Sequence, residues 1–250
     1  MSRRLLRSVA AVVTLSAAGA TASSAQRPLE NWGSFERDYD GRFTFVRLRW
    51  GSGLGGYGMS RAWDHDFPRA EQNLMTMLRE MTLIDVNRDG SLILTLDDPQ
   101  LFRYPIVYMW EPGFWTLADE EADRFREYLL KGGMAIFDDF EQGQWTNFEQ
   151  QMRRVLPEGR FVKLDITHPI FDSFFRMRTI DFPHPMMGIL PTYYGIHEDN
   201  DPAKRLMVIA NHNNDVAEYW EWSDRGMFPQ ANMEEAYKLG LNYMIYGFLH

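Results

Sequence analysis

Polar side chains follow four apolar segments of this sequence, at places where strands of a sheet would end. They are Trp63, Asp64 and Asp66 beyond the first segment, Glu111 after 106–110, Asp138 and Asp139 after 134–137, and Asn211, Asn213 and Asp215 after 206–210. Two carboxyl groups can act as general acid and general base when their surroundings separate their pKa values. We therefore predict Asp138 and Asp139 as catalytic residues, and the others, together with Glu221, as ligand-binding residues. The pattern predicts no cofactor except a divalent cation, which oxygen ligands of this kind suit.

Each of these residues also has a structural interpretation. Asp138 could cap the loop that follows it, and Asp139 could simply be solvated. Glu111 precedes Pro112 and Gly113 and could belong to a turn. The stretch from Asn211 to Asp215 could be a turn bonded by its own side chains. The residue types alone leave both interpretations open.

Hydrophobic periodicity predicts the elements that must position these side chains. Alternation predicts a first strand over 43–50, with Arg47 and Arg49 on its polar side. Further strands are predicted at 92–96, 106–110, 134–137, 161–164 and 206–210, and helices from Pro68, Thr116, Thr146 and Met233. The segment 165–203 shows no regular pattern. Strands that alternate with amphipathic helices predict a doubly wound, mostly parallel α/β sheet with helices on both faces. Ligands of such sheets bind at the carboxyl ends of the strands.

Two motifs resemble known ligand loops only in part. Gly51, Gly53 and Gly56 satisfy the spacing of a dinucleotide-binding turn, but the next helix signal, Pro68, comes too late to place a helix N-terminus on a pyrophosphate. Asp85, Asn87 and Asp89 match the opening of an EF-hand loop, whose twelfth position is Leu96 instead of a glutamate. A flexible functional loop and a plain Asp-Gly turn are the favoured interpretations.

The ends and the composition of the chain indicate where it works. Three early arginines, the run Ser8–Gly19 of apolar and small residues, and small residues before Ala25 predict a signal peptide over 1–25. We then expect a polar lead-in over 26–42 and a single domain over 43–250, with no membrane span. The mature protein is expected in the periplasm or at the cell surface. The chain has no cysteine and a formal net charge of -9. An acidic surface repels phosphate backbones, so we expect no nucleic-acid partner.

Several short motifs in a fixed order indicate a family. They are Leu101–Met109, Tyr128–Gly133, Asp138-Asp139, His168–Phe171, Leu239–Tyr243, and Asn211–Asp215 with Trp220-Glu221. Over 43–249 the chain resembles the bacterial domain-of-unknown-function 4159 family. The resemblance implies a divergent class I glutamine amidotransferase-like fold with a flavodoxin-like sheet, and no established activity. Amidotransferases carry a cysteine nucleophile after a central strand, where this chain has Asp138 and Asp139, so cysteine-based glutaminase chemistry is excluded.

Three functions from different classes remain open at this point. The first is a domain that binds a polar ligand, such as a carbohydrate or envelope glycan, through carboxylates, amides and tryptophans. The second is a hydrolase that uses Asp138 or Asp139 as general base, with or without a divalent cation. The third is an interaction module that docks an envelope protein through this edge of the sheet or through 165–203.

Overall fold

Seven strands form one sheet in the computed structural model, which describes residues 39–51, 59–87 and 91–250. The strands are β1 (Val46–Leu48), β2 (Leu92–Leu94), β3 (Ile106–Trp110), β4 (Met134–Phe140), β5 (Val162–Lys163), β6 (Thr192–His197) and β7 (Leu206–His212). Their order across the sheet is β2-β1-β3-β4-β7-β6-β5. The first five strands in this order are parallel, and β6 pairs antiparallel with both β7 and β5.

Within the described ranges, five α-helices cover the two faces of the sheet. They are α1 (Arg69–Met81), α2 (Asp119–Leu130), α3 (Gln144–Val155), α4 (Val216–Glu221) and α5 (Gln230–Leu249). Helices α1, α4 and α5 pack on one face, and α2 and α3 pack on the other. Two hydrophobic cores therefore enclose the sheet. The predicted doubly wound, mostly parallel α/β fold of flavodoxin-like type is confirmed.

The direction of chain winding reverses between β1 and β3. From β1 the chain passes to β2 at one edge, and it then returns to β3 on the other side of β1. A reversal of this kind opens a crevice at the carboxyl ends of the strands, because the connections on its two sides leave in opposite directions. The segments that follow β1 and β3 therefore border a common crevice.

The central strand β4 continues past the point where the sequence predicts its end. Asp138 and Asp139 lie within the strand, which runs on to Phe140 and pairs there with His212. The pairing with β7 shifts register between Phe137 and Phe140, and Asp139 adopts a left-handed backbone with φ of 58°. The two aspartates thus form an irregularity inside the strand instead of a turn after it.

Other differences arise from contacts distant in sequence. Arg47, predicted on a polar side of β1, is fully buried because helices cover both faces of this strand. The segment 165–203 contributes β6, which lies between β7 and β5 and was not predicted. Helix α2 begins at Asp119, not Thr116, and the Glu121 carboxylate accepts the N–H of the residue preceding the helix.

Helices α3 and α5 begin earlier than predicted, at Gln144 and Gln230. Helix α3 follows β4 closely, and the Gln144 side chain accepts the N–H of Glu141 at 3.1 Å. None of the helices in the described part of the chain is both long and apolar enough to cross a membrane.

Several predictions concern residues outside the described ranges. The signal peptide over 1–25, most of the lead-in over 26–42, most of the glycine-rich loop and the turn at Asp89 lie there. All described residues belong to one compact unit, Ser34–His250, which contains the whole sheet.

Candidate functional site

A histidine and two carboxylates converge at the carboxyl edge of the sheet. His65 lies between β1 and α1, Glu111 directly follows β3, and Asp139 lies near the end of β4. The Nδ1 atom of His65 is 3.1 Å from Glu111 Oε1 and 3.2 Å from Asp139 Oδ2. The His65 side chain is 53% exposed, and the described residues form no hydrogen bond with its other ring nitrogen, Nε2. The imidazole is thus held on one side by carboxylates and open to solvent on the other.

Three of the seven non-glycine residues with positive φ in the described part of the chain lie at this site. Asp66, Glu111 and Asp139 have φ values of 60°, 51° and 58°, in the left-handed region that side chains other than glycine rarely adopt. Such conformations cost roughly 1–3 kcal/mol each and persist where the surrounding structure imposes them, often at functional sites. The three residues at this site are acidic and lie at the same edge, whereas Gln142, Asp199, Asn200 and Asn213 have the same backbone conformation elsewhere.

A second acidic group adjoins the first. The carboxyl groups of Asp66, Asp215 and Glu218 have oxygen atoms within 4.8 Å of one another. Asp66 accepts a hydrogen bond from Trp110 Nε1 at 2.9 Å, and Asp215 caps α4 by accepting the N–H of Glu218 at 3.0 Å. Because β3 supplies the tryptophan and α4 supplies Glu218, the group joins three separate parts of the chain.

The contact between His65 and Asp139 shifts the pKa values of both residues. The hydrogen bonds and charges of Asp139 and Glu111 raise the pKa of His65 to about 11, so this imidazole is protonated at neutral pH. Burial raises the pKa of Asp139, and the neighbouring Glu111 and Asp66 act in the same direction. The imidazolium of His65 opposes that increase, and the pair retains a proton well above pH 7.

Glu218 and Glu221 have pKa values near neutrality. Burial, followed by the charge of Asp66, raises the pKa of Glu218 to about 8 and that of Glu221 to about 7. Burial and the charge of Asp139 also raise the pKa of Asp215 well above its usual range. A carboxyl group that titrates near pH 7 can donate a proton as a general acid.

Asp138 is oriented differently from its neighbour. Its Oδ2 accepts hydrogen bonds from Tyr108 Oη at 2.6 Å and from the N–H groups of Val216 and Ala217 at 2.9 and 3.1 Å. Its Oδ1 accepts from Asn211 Nδ2 at 2.9 Å, and the side chain is fully buried. This geometry makes Asp138 the anchor of α4 and leaves Asp139 as the aspartate that faces His65.

The remaining predicted site residues divide into structural and peripheral positions. Trp63 is 5% exposed and packs in the core beneath α2 and α3, while the half-buried Asp64 accepts the Phe67 N–H through its carbonyl oxygen. Asn211 is buried and links Asp138 to Tyr243, whose hydroxyl donates to it at 2.7 Å.

Asn213 lies in a turn after β7, where its side chain accepts the Gln142 N–H at 2.8 Å. The structure therefore brings Asp66, Glu111, Asp139 and Asp215 together, with Glu221 nearby, and places Trp63 and Asn213 outside the group.

Two residues of the site were not predicted as site residues. His65 stands between Asp64 and Asp66, but its alignment with Glu111 and Asp139 depends on contacts 46 and 74 positions away in sequence. Glu218 follows Asp215 by three positions, which is the spacing of a capping box. That spacing could have identified the start of α4, although not the proximity of Glu218 to Asp66.

Either acidic group has the composition of a cation site. His65, Glu111 and Asp139 offer one nitrogen and two oxygen ligands, and Asp66, Asp215 and Glu218 offer oxygens only, with the candidate atoms of each group within 4.8 Å. Hard cations such as magnesium and calcium prefer the second composition. The first also suits transition metals, because imidazole is one of their common ligands.

A profile of the domain-of-unknown-function 4159 family matches residues 44–248. The chain belongs to this family. The match includes every strand and helix of the sheet domain except the last residue of α5, so the carboxyl-edge site lies within the family domain. A search of curated proteins finds no match to the chain. The site geometry therefore provides the basis for assigning a function.

Proposed function

We propose that this member of the domain-of-unknown-function 4159 family is a carboxylate-dependent hydrolase of a polar substrate, active at the carboxyl edge of its sheet. The observation that carries the proposal is the convergence of three strained acidic residues, Asp66, Glu111 and Asp139, around His65. Strain maintained at several residues of one site supports a functional arrangement.

The protonation states support a division of catalytic roles. Glu218, with its pKa raised to about 8 by burial and Asp66, is protonated at neutral pH and can donate a proton to a leaving group. The His65 imidazolium opposes the increase in the pKa of Asp139, and in its ionised form Asp139 can accept a proton from the attacking water. The exposed imidazolium can stabilise negative charge that develops on the substrate. A divalent cation at Asp66, Asp215 and Glu218 would need Glu218 in its carboxylate form, so this is an alternative to the role of Glu218 as general acid. The cation would then offset the negative charge and polarise a bound oxygen.

The proposed substrate is a carbohydrate or envelope glycan, because carboxylates bind its hydroxyl groups. The tryptophans give this proposal less support than the sequence suggested. Trp63, Trp110 and Trp220 are at most 5% exposed and present no free face for stacking on a sugar ring. A domain that binds such a ligand without hydrolysing it would use the same edge.

We also propose that the protein is exported and acts in the periplasm or at the cell surface. Support comes from the arginines, the apolar run and the small residues of 1–25. Mass spectrometry of the protein recovered from the expressing cells is expected to show an N-terminus at Gln26. An intact Met1 in all of the recovered protein would contradict export by this signal.

An envelope partner is a separate proposal with its own observation. In the segment 165–203, Met186, Met187 and Leu190 are 68%, 49% and 59% exposed and lie within five residues of one another. Exposed apolar residues grouped in this way are typical of interaction surfaces. Crosslinking in envelope extract before and after the triple substitution to serine tests the proposal, and an unchanged crosslinking pattern would exclude this surface.

The hydrolase proposal is tested by turnover. Purified wild-type protein is compared with Asp139→Asn and Glu218→Gln on a panel of glycosides, esters and envelope glycans, with magnesium, calcium or chelator. Asp123→Asn serves as the control, because this aspartate lies on α2 and is 71% exposed. We expect activity in wild type and control and a loss of at least about 100-fold in both site variants. Binding without turnover would reduce the proposal to a ligand-binding domain, and neither binding nor turnover would overturn it.

A further inference from the structure

The segment that carries His65 and Asp66 is attached to the sheet by a buried arginine. Arg47 of β1 is fully buried, and its Nη1 donates to the carbonyl oxygens of Trp63 and His65, both at 2.8 Å. Its Nε donates to Glu71 Oε1 of α1 at 2.5 Å, which neutralises the buried charge. One guanidinium thus joins β1, α1 and the backbone on which the histidine stands.

The same guanidinium is stacked on an aromatic ring. Arg47 Cζ lies 3.4 Å from the centre of the Trp110 ring, and Trp110 Nε1 donates to Asp66 Oδ2. Cation–π contact between a guanidinium and an indole is strengthened when both groups are desolvated, and both Arg47 and Trp110 are fully buried. Arg47 therefore supports the tryptophan that orients Asp66, in addition to holding the carbonyl of His65.

We propose that Arg47 is a positioning residue that sets His65 against Glu111 and Asp139. The His65 ring is half exposed, so packing alone constrains it weakly, and its alignment depends on a fixed backbone at 63–66. In the described part of the chain Arg47 forms no hydrogen bond with Glu111 or Asp139 and reaches the His65 group through the backbone and Trp110, while its ion pair with Glu71 fixes the guanidinium. Its relevance to catalysis rests on the function proposed above, whereas its effect on His65 does not.

Lysine cannot replace arginine in this position. The guanidinium donates to Glu71 and to two carbonyls while its Cζ lies 3.4 Å from the centre of the Trp110 ring, and an ammonium group cannot combine these contacts. Arg47→Lys keeps the charge beside Glu71 and removes the guanidinium. The substitution therefore separates the positioning function from simple charge neutralisation.

The test is an NMR titration of the His65 imidazole in the full-length protein, which requires no substrate. In wild type the His65 pKa is expected near the value of about 11 that Asp139 and Glu111 impose. In folded Arg47→Lys it is expected to fall by at least about 2 pH units toward the ordinary histidine value, because the carboxylate contacts lengthen. Turnover, if present in wild type, is expected to decrease about 10-fold or more in the variant, as misplacement at a distance from the chemistry allows.

Arg205→Lys is the matched control. Arg205 also donates to two backbone carbonyls, those of Gly133 and Leu129, and pairs with a glutamate, but it lies at the opposite edge of the sheet. If Arg47 contributed only to stability and did not position His65, both variants would lose stability and the His65 pKa would stay unchanged in both. An unchanged His65 pKa in folded Arg47→Lys, or an equal decrease in Arg205→Lys, would overturn the proposal.

A measurement on the unmodified protein covers the case in which Arg47→Lys does not fold. The Arg47 Nη1 protons should resonate separately, exchange slowly with solvent, and show nuclear Overhauser effects to the Trp63–His65 backbone. A guanidinium that rotates freely, or one that shows no such contacts, would contradict the attachment and overturn the proposal.

Discussion

Replacement of Asp138 should separate its structural contribution from any catalytic one. The carboxylate accepts four hydrogen bonds in a site with no access to water, from Tyr108, Asn211 and the first two N–H groups of α4. Asp138→Ala leaves these donors without a partner, and each buried unpaired donor costs about 1–3 kcal/mol. The Tyr108 hydroxyl can rotate away, and burial already raises the Asp138 pKa to about 6, which means that the native carboxylate carries a desolvation cost.

The expected loss for Asp138→Ala is therefore about 4 kcal/mol of unfolding free energy, near the middle of the range for breaking a buried polar network. For a chain of this length the thermal midpoint should decrease by about 10 °C, since each kcal/mol shifts it by about 2–4 °C. Thermal unfolding followed by tryptophan fluorescence and near-ultraviolet circular dichroism measures both quantities.

Asp138→Asn should cost much less. The new amide nitrogen would face Asn211 Nδ2, but the Asn211 side chain can flip and present its oxygen, because the Tyr243 hydroxyl on its other side can accept as well as donate. We expect a loss of about 1–2 kcal/mol, mainly from weaker bonds to a neutral acceptor. The double substitution Asp138→Asn with Asn211→Asp pairs the two side chains without the flip, but Tyr108, Val216 and Ala217 still donate to a neutral acceptor, so it should recover little of that loss.

Two results with the Asp138 variants would contradict this account of the hydrogen-bond network. If Asp138→Asn abolishes turnover while it remains as stable as expected, Asp138 is catalytic and the anchoring interpretation is wrong. If Asp138→Asn is as unstable as Asp138→Ala, the Asn211 flip does not occur and the network is less adaptable than its geometry indicates.

Three further predictions follow from the same geometry. Asp139→Asn should lower the His65 pKa from about 11 toward 6.5, because Asp139 is the largest cause of the increase; NMR titration measures it, and an unchanged value contradicts the contact. The free energy of unfolding should decrease from pH 6.5 to 8.5, because folded Glu218 and His65 keep protons that the unfolded chain has released. The histidines with lowered pKa change the stability only below pH 6.5. A thermal midpoint that stays constant over this range would contradict the predicted decrease. Gly240→Ala would place Cβ 2.6 Å from Trp220 Cζ2 and should cost about 1–3 kcal/mol in urea unfolding, and an unchanged midpoint would contradict the close packing.

The local pattern of the chain predicted the fold class and four acidic residues that lie together at the candidate site, namely Asp66, Glu111, Asp139 and Asp215. Short apolar runs ending in acidic residues identified β3, β4 and β7, because buried parallel strands have continuous apolar sequences. Since parallel strands end at one edge, Glu111, Asp139 and Asp215 could be expected near one another. The strand β6 in the segment 165–203 was not predicted in this way, because it is an antiparallel strand identified mainly by its pairing with β7.

The tertiary structure decided which of the acidic residues has a structural role and which lies in the candidate site. Asp138 and Asp139 are adjacent and chemically identical, yet the irregularity in β4 directs one to the start of α4 and the other to His65. The sequence pattern of β1, in which apolar and polar residues alternate, does not reveal that Arg47 is buried. The helices that bury it on both faces of the strand come from later parts of the chain. Sequence by itself determined the parallel strands and the edge at which they end, because these depend on local periodicity, but it did not determine the antiparallel strand β6. The protonation states and the strained geometry arise only from burial and from contacts tens of residues apart, which local sequence does not encode.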